Sequence, residues 1–173
     1  YKRQDPGDEA NLYQVQCLAT SRDGIHFERQ GMVVDTPPGM HHFRDPKVWR
    51  EGDCWYMIVG AREGDTGQVR LYRSADLRQW QDAGVLDEAE STMGYMWECP
   101  DFFTLNGKRV LMFSPQGMQA AGFSNRNLFQ SGYLIGEWQP GQRFIRHGEF
   151  REMDNGHDFY APQSFATPDG RRI

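Results

Sequence analysis

Apolar residues occur along the chain in short runs that are rich in β-branched and aromatic types. The runs lie at 12–19, 55–60, 68–73, 110–114 and 133–136. Clusters of Gly, Asp, Asn and Pro that are typical of tight turns separate them, and no segment keeps the helical period over three turns. The pattern therefore predicts an all-β protein in which short strands alternate with turns.

One block of the sequence recurs at a constant spacing. Its polar, aromatic and glycine positions return 53 residues further along the chain. The first set is Ser21, Asp23, Phe27, Gly31 and Asp35, and the second is Ser74, Asp76, Trp80, Gly84 and Glu88. A repeat of this length is typical of a structural unit that contains about four short strands.

A second element of the same unit is a strand that contains a proline. Residues 44–49 (Arg-Asp-Pro-Lys-Val-Trp) resemble residues 98–103 (Glu-Cys-Pro-Asp-Phe-Phe), and a third copy begins at Tyr160. Such units are typical of β-propeller blades, because each four-stranded sheet buries its faces against its neighbours. We therefore predict two to three blades, with Asp45, Glu98 and Tyr160 at equivalent points around one axis. Similar hairpins of a β-sandwich are the alternative.

Charge and cysteine content exclude several classes of protein. The formal net charge is -5 at pH 7, and the lysines and arginines are scattered among acids, so no basic stripe is available for nucleic-acid phosphates. The longest apolar run is far shorter than the roughly 20 residues that cross a bilayer. The spacing of Cys17, Cys54 and Cys99 indicates neither a disulfide framework nor a zinc cluster, and His41 and His42 have no third ligand at a suitable spacing. We expect a globular domain that binds neither nucleic acid nor membrane.

Two carboxylates, Asp45 and Glu98, lie at related positions of successive units. Glycoside hydrolysis uses such groups, because one carboxyl protonates the leaving oxygen while others stabilise an oxocarbenium-like transition state. Facing strands of neighbouring blades would supply both. Trp97, beside Glu98, is the tryptophan that best suits a sugar platform, whereas Cys99 suits close packing.

The segments around these residues resemble the signature motifs of a known enzyme family. Residues 43–48 (Phe-Arg-Asp-Pro-Lys-Val) and 97–103 (Trp-Glu-Cys-Pro-Asp-Phe-Phe) look like two motifs of glycoside hydrolase family 32. Residues 156–163 (Gly-His-Asp-Phe-Tyr-Ala-Pro-Gln) are similar to a third. The resemblance covers essentially the whole chain and extends to the branch of the family that acts on sucrose 6-phosphate.

The resemblance implies a five-bladed β-propeller with an appended β-sandwich, and a retaining double displacement on a fructofuranosyl unit. By this likeness Glu98 is the general acid/base, and Asp45 hydrogen-bonds fructosyl hydroxyls and stabilises the transition state. Arg44 would help to bind the same ring, and Tyr160 would be a pocket residue near the acid/base. The chemistry implied needs no organic cofactor and no metal.

The family's nucleophile is an aspartate in a Trp-Met-Asn-Asp-Pro-Asn-Gly type motif of the first blade, and no such segment occurs in this sequence. The resemblance therefore implies that residues 1–173 are part of the N-terminal catalytic propeller, without the nucleophile segment and without the β-sandwich. We expect these residues alone to be inactive towards sucrose.

The motifs leave several functions open. An invertase, a fructan hydrolase and a fructosyltransferase share them, an arabinan hydrolase of family 43 matches them less well, and a non-catalytic sugar-binding propeller is a further alternative. A phosphorylated substrate would favour a basic cluster near the leaving group and a cytoplasmic location. Its candidates are Arg126, Arg143, Arg146 and His147.

Overall fold

The computed structural model describes residues 2–3, 11–90 and 92–173. These ranges contain strands and no helix, which confirms the all-β prediction. Accordingly, they hold no helix long and apolar enough to cross a membrane. Hydrogen bonding divides the strands among four sheets.

The two small sheets pair β1 (Lys2–Arg3) with β2 (Tyr13–Gln14) and β3 (Gln16–Ser21) with β4 (Phe27–Val34). The third sheet contains β5 (His42–Glu51), β6 (Cys54–Glu63), β7 (Thr66–Ser74) and β8 (Gln81–Glu88). The fourth contains β9 (Met96–Leu105), β10 (Lys108–Gln116), β11 (Gly132–Glu137), β12 (Ile145–Arg146) and β13 (Arg151–Glu152).

The third and fourth sheets are antiparallel and follow the chain order. β5 to β8 form a four-stranded meander, and β9, β10 and β11 repeat its first three strands. Both β12 and β13 pair with β11. Local sequence sets the hairpins: Asn106 and Gly107 between β9 and β10 both have positive φ, 49° and 75°. A two-residue type I′ turn needs this geometry, and Asn-Gly adopts it at the least cost.

The turn that joins β3 to β4 has the same hydrogen bonds as the turn that joins β7 to β8. Ser21 donates to Asp23 at 3.0 Å, and Ser74 donates to Asp76 at 3.1 Å. In each turn the aspartate also accepts from two following backbone amides at 2.8 and 2.9 Å. The hairpin β3–β4 therefore corresponds to the outer half of the β5–β8 sheet, which confirms the repeat.

The β5–β8 sheet is covered on both faces. Successive residues of β6 point in opposite directions, and Ile58 and Val59 are both completely buried. Ile58 belongs to an apolar cluster shared with Leu111 and Leu134 of the fourth sheet. Val59 belongs to a second cluster, shared with Val34 of β4. This stacking of successive sheets is the arrangement of propeller blades.

Trp97 lies between two blades, so its prediction as a sugar platform is wrong. Its side chain is 0% exposed and stacks on Phe113 with ring centroids 3.9 Å apart. The indole N–H donates to the Met93 carbonyl at 2.8 Å. Gly67 of the preceding blade makes room for the indole, since a Cβ there would come within 2.6 Å of it. The aromatic residue beside Glu98 therefore faces the core.

Candidate active site

The two innermost strands, β5 and β9, share an irregularity at their prolines. Arg44 pairs with Gly60 and Lys47 with Ile58, so the register skips between Arg44 and Lys47. β9 skips in the same way between Glu98 and Asp101. Such a bulge leaves residues unpaired and re-aims the side chains before it.

The bulges show that the predicted equivalence of Asp45 with Glu98 and Tyr160 is wrong by one residue. The residue before each proline has a positive φ: 63° at Asp45, 48° at Cys99 and 57° at Ala161. These three residues correspond to one another. The structural equivalents of Glu98 are therefore Arg44 and Tyr160, and Asp45 is offset by one position from the carboxylate with which it was matched.

Glu98 accepts hydrogen bonds from three different parts of the chain. Arg44 of β5 donates to its Oε1 through Nε at 2.8 Å and through Nη2 at 2.5 Å. Gln116 of β10 donates to Oε2 at 2.6 Å, and the Tyr160 hydroxyl donates to the same oxygen. The Glu98 side chain keeps 14% of its surface exposed. The structure thus brings Arg44, Glu98 and Tyr160 together, whereas the sequence predicted Asp45, Glu98 and Tyr160 at equivalent points around one axis.

Asp45 lies next to this group and contacts Cys99. Its Oδ2 accepts from the Cys99 amide at 3.0 Å and from the Cys99 thiol at 3.5 Å. Oδ1 accepts no hydrogen bond from the described part of the chain. Burial, and then the nearby Asp45 carboxylate, raises the pKa of the Cys99 thiol to about 12. The thiol therefore stays protonated and serves as a hydrogen-bond donor.

Two buried glutamines position the start of β5. Gln14 accepts from the Phe43 amide at 2.9 Å and from Arg44 at 3.3 Å, and Gln16 donates to the Phe43 carbonyl at 3.0 Å. A cavity of about 290 Å³ beside Asp45 is lined by these glutamines and by the neighbouring strand. Sequence reasoning missed both residues, although two amides within an apolar run at 12–19 are a usable signal.

Buried hydroxyls hold Tyr160 in place. The Ala161 amide donates to Ser114 at 3.1 Å and to Ser131 at 3.2 Å, and the two serines lie 2.8 Å apart. Burial and the Glu98 carboxylate raise the pKa of the Tyr160 phenol. The phenol therefore keeps its proton at working pH and donates a hydrogen bond to Glu98.

A second layer of polar contacts ties β5 and β9 to the segment that contains Ser164. Lys47 lies 3.3 Å from the buried Asp101 carboxylate and donates to the Ser164 carbonyl. Asp101 accepts from the Ser164 amide at 3.0 Å and from its hydroxyl at 2.5 Å. Lys47, Asp101 and Ser164 follow Arg44, Glu98 and Tyr160 in the chain. Their contacts therefore fix the backbone that carries these three site residues.

Most of the candidate phosphate ligands already face carboxylates. Arg146 forms a bidentate ion pair with Asp87, in which both hydrogen bonds are 2.8 Å long, and Arg143 lies 2.8 Å from Glu88. His147 lies 3.5 Å from Glu137. Arg126 donates to the Gly122 carbonyl at 2.9 Å, in the segment that links β10 to β11. Three of the four candidates are thus paired with carboxylates.

Comparisons with known proteins agree with this architecture. The model of the glycosyl hydrolases family 32 N-terminal domain matches residues 1–173. A sucrose-6-phosphate hydrolase of Escherichia coli is 60% identical over 168 residues, which are 96% of this chain and 35% of that protein. A raffinose invertase of Escherichia coli is 55% identical over 171 residues, which are 98% of this chain and 36% of that protein.

Among solved structures, a variant of the Bombyx mori family 32 β-fructofuranosidase in complex with sucrose superposes with a TM-score of 0.90 at 40% identity. The match covers 96% of this chain and 37% of that chain. This chain thus spans little more than a third of the length of these relatives. Its sheets are blades of the five-bladed propeller that the sequence predicted, and the chain belongs to glycosyl hydrolase family 32.

Proposed function

We propose that the full-length protein containing this chain is a retaining glycoside hydrolase that cleaves the β-fructofuranosidic bond of sucrose 6-phosphate or sucrose. The observation that carries the proposal is Glu98, a partly exposed carboxylate that accepts hydrogen bonds from Arg44, Gln116 and Tyr160. A general acid/base must be held in place in this way while it stays open to substrate. The relatives described above support it: a sucrose-6-phosphate hydrolase, a raffinose invertase and a family 32 β-fructofuranosidase in complex with sucrose.

In this mechanism Glu98 acts twice. It first protonates the glucosyl oxygen while a carboxylate nucleophile attacks the anomeric carbon, and it then removes a proton from the water that releases fructose. Asp45 offers its Oδ1 to fructosyl hydroxyls, because only Oδ2 is engaged with Cys99. Arg44 binds the ring less directly, since its guanidinium already contacts Glu98, Gln14 and His42.

The same proposal assigns the nucleophile to the blade whose outer half is β3–β4. Because that hairpin corresponds to β7–β8, the inner strands of its blade precede it in the chain. An aspartate on such an inner strand would face Glu98 and Asp45 from the neighbouring blade. Residues 11–173 would then supply the acid/base and the transition-state stabiliser, but no covalent intermediate.

The leaving group is the finer part of the proposal. A sucrose 6-phosphate substrate would imply a cytoplasmic enzyme. The identity to the Escherichia coli sucrose-6-phosphate hydrolase supports this substrate. A specific observation favours plain sucrose as a second candidate: Arg143, Arg146 and His147 lie against Glu88, Asp87 and Glu137. Among the four cations considered, only Arg126 lies on the segment that links β10 to β11, which follows Gln116 in the chain.

The decisive experiment measures hexose release from sucrose, sucrose 6-phosphate and inulin by the full-length protein and its Glu98→Gln variant. We expect turnover with retention of anomeric configuration, and a loss of about 100-fold to 10,000-fold in kcat in the variant. The matched control is Glu149→Gln, an exposed glutamate that should keep full activity. A fully active Glu98→Gln variant would refute the assignment, and sugar binding without turnover by the unmodified protein would favour a binding module.

A further inference from the structure

Gln116 is the last residue of β10, and the sequence motifs do not include it. Its backbone pairs with Met96 of β9 and forms a bridge to Phe129. The Gln116 carbonyl also accepts from the Tyr95 amide at 2.9 Å. The backbone of Gln116 is therefore held by β9 and by Phe129. From this fixed position its side-chain amide donates to Glu98 Oε2 at 2.6 Å.

The two oxygens of Glu98 have different surroundings. Among the residues that the structure describes, Oε1 accepts hydrogen bonds only from the guanidinium of Arg44, which cannot itself accept one. Oε2 faces Gln116 and Tyr160, and both side chains contain an oxygen that can accept. A proton on the Glu98 carboxyl is therefore best placed on Oε2. The Gln116 amide donates to Oε2 through Nε2, and this hydrogen bond is stronger when Glu98 is ionised.

We propose that Gln116 is a positioning residue for the acid/base. Arg44 fixes the position of Oε1 and Gln116 fixes the position of Oε2, so together they set the plane of the carboxylate. The hydrogen bond from Gln116 also favours the ionised carboxylate, which must take a proton from water in the second step. This inference rests on the proposed role of Glu98. The titratable and charged groups that also surround Glu98 are Arg44 and Asp45 of β5, His42 behind Arg44, Cys99 of β9, and Tyr160.

The test uses two variants of the full-length protein, Gln116→Met and Gln116→Glu, with kcat and KM measured from acid to alkaline pH. Both side chains have nearly the length of glutamine, so the fold is preserved. Gln116→Met removes a donor to the carboxylate, and the alkaline limb of kcat should move up by about one pH unit. Gln116→Glu adds a like charge, so the limb should move further. In both, kcat should fall about 10-fold at its optimum while KM changes less than about twofold.

Gln119→Met and Gln119→Glu are the matched controls. Gln119 is exposed, and its amide donates only weakly, to the Gly117 carbonyl at 3.5 Å. Both controls should keep the kcat and pH profile of the unmodified protein. An unmoved alkaline limb in both Gln116 variants overturns the inference, even if kcat falls, because a purely structural role predicts that result. If instead Glu98→Gln stays active, the proposed function itself has failed, so the two failures are distinguishable.

Discussion

At the scale of single residues, the position before each inner-strand proline decides where the site side chains point. Asp45, Cys99 and Ala161 all have left-handed φ angles, which cost a non-glycine residue roughly 1–2 kcal/mol. The bulge that results directs Glu98 and Tyr160 towards the same point. Local strain of this kind is usual at functional sites, because the surrounding structure has to over-determine it.

Cys99 should be chemically inert although it lies beside the proposed acid/base. Its pKa of about 12 leaves a thiolate fraction of about one in ten thousand at pH 8. We expect iodoacetamide to modify Cys99 on the order of 1,000-fold more slowly in the native full-length protein than in urea. Mass spectrometry of the Cys99 peptide over time measures both rates.

The Asp45→Asn variant is the control for the cause of this inertness. Removing the carboxylate lowers the pKa of Cys99, so modification should become faster in the native protein, while burial keeps it below the unfolded rate. Equal rates in native and unfolded protein would contradict the proposed environment of Cys99.

The site residues differ in how far sequence could predict them. Arg44, Glu98 and Tyr160 each lie two residues before a repeated proline, so the repeat contains the signal that they meet, although the sequence analysis matched Asp45 instead of Arg44. Gln116 has no such marker, because it reaches Glu98 through β10 pairing that depends on the register of a different hairpin. Trp97 was predicted wrongly because sequence does not reveal which face of β9 looks towards the axis.

At the scale of strands and sheets, a close approach between two blades determines the position of β9. Gly60 of β6 pairs with Arg44, and its Cα faces the Trp97 carbonyl of the next blade. A Cβ at Gly60 would overlap that oxygen and lie 3.3 Å from the Pro100 ring. The absence of a side chain at this one position therefore sets how near β9 and Glu98 come to β5.

Gly60→Ala should both destabilise the protein and impair the site. Relief of the overlap must move backbone, which typically costs about 1–3 kcal/mol. The same shift displaces Glu98 from Arg44, so kcat should fall about 10-fold or more. Denaturant unfolding and steady-state kinetics of the full-length variant measure the two effects.

Gly156→Ala is the matched control for this substitution. A Cβ at Gly156 would meet only the Asp154 side chain, which can turn away, so neither stability nor kcat should change much. An unaltered free energy of unfolding for Gly60→Ala would show that the blades tolerate a wider separation than the structure indicates.

Elements were predictable where their signal is local. The four-stranded repeat follows from the recurrence of Ser21 and Asp23 as Ser74 and Asp76, because each pair builds its turn with its own side chains. The two-residue strands β12 and β13 have no such signal. They exist because both pair with β11, which is a long-range contact that neither propensity nor alternation encodes.

At the scale of the whole molecule, Arg146 joins the outer parts of two blades. It contacts Asp87 at the end of β8 through two hydrogen bonds of 2.8 Å, and it reaches Glu90 at 2.9 Å. Its guanidinium also lies over the buried Trp97 ring. Burial raises the pKa of Asp87, and the neighbouring Arg146 opposes that rise. This arginine therefore holds the two blades together.

Arg146→Met should destabilise the full-length protein by about 3–5 kcal/mol, because it leaves the Asp87 carboxylate buried without a counter-charge. Arg143→Met is the matched control: its partner Glu88 is exposed, and the loss should be below about 1 kcal/mol. Urea unfolding measures both. Neither variant should alter the ratio of kcat/KM for sucrose 6-phosphate over sucrose, if the two arginines have no part in substrate choice.

The pH dependence of the Arg146→Met deficit follows from the raised pKa of Asp87. The folded state holds the Asp87 proton to higher pH than the unfolded state does, so this carboxyl lowers stability as pH rises between the two values. Without Arg146 the folded-state pKa of Asp87 rises further and that interval widens. The deficit should be smallest at acid pH, where Asp87 is protonated, and should grow as the pH rises towards neutrality. Adding Asp87→Asn should restore stability at pH 7 and flatten the difference. A deficit that is constant with pH would mean that Arg146 stabilises the blades by packing on Trp97 alone.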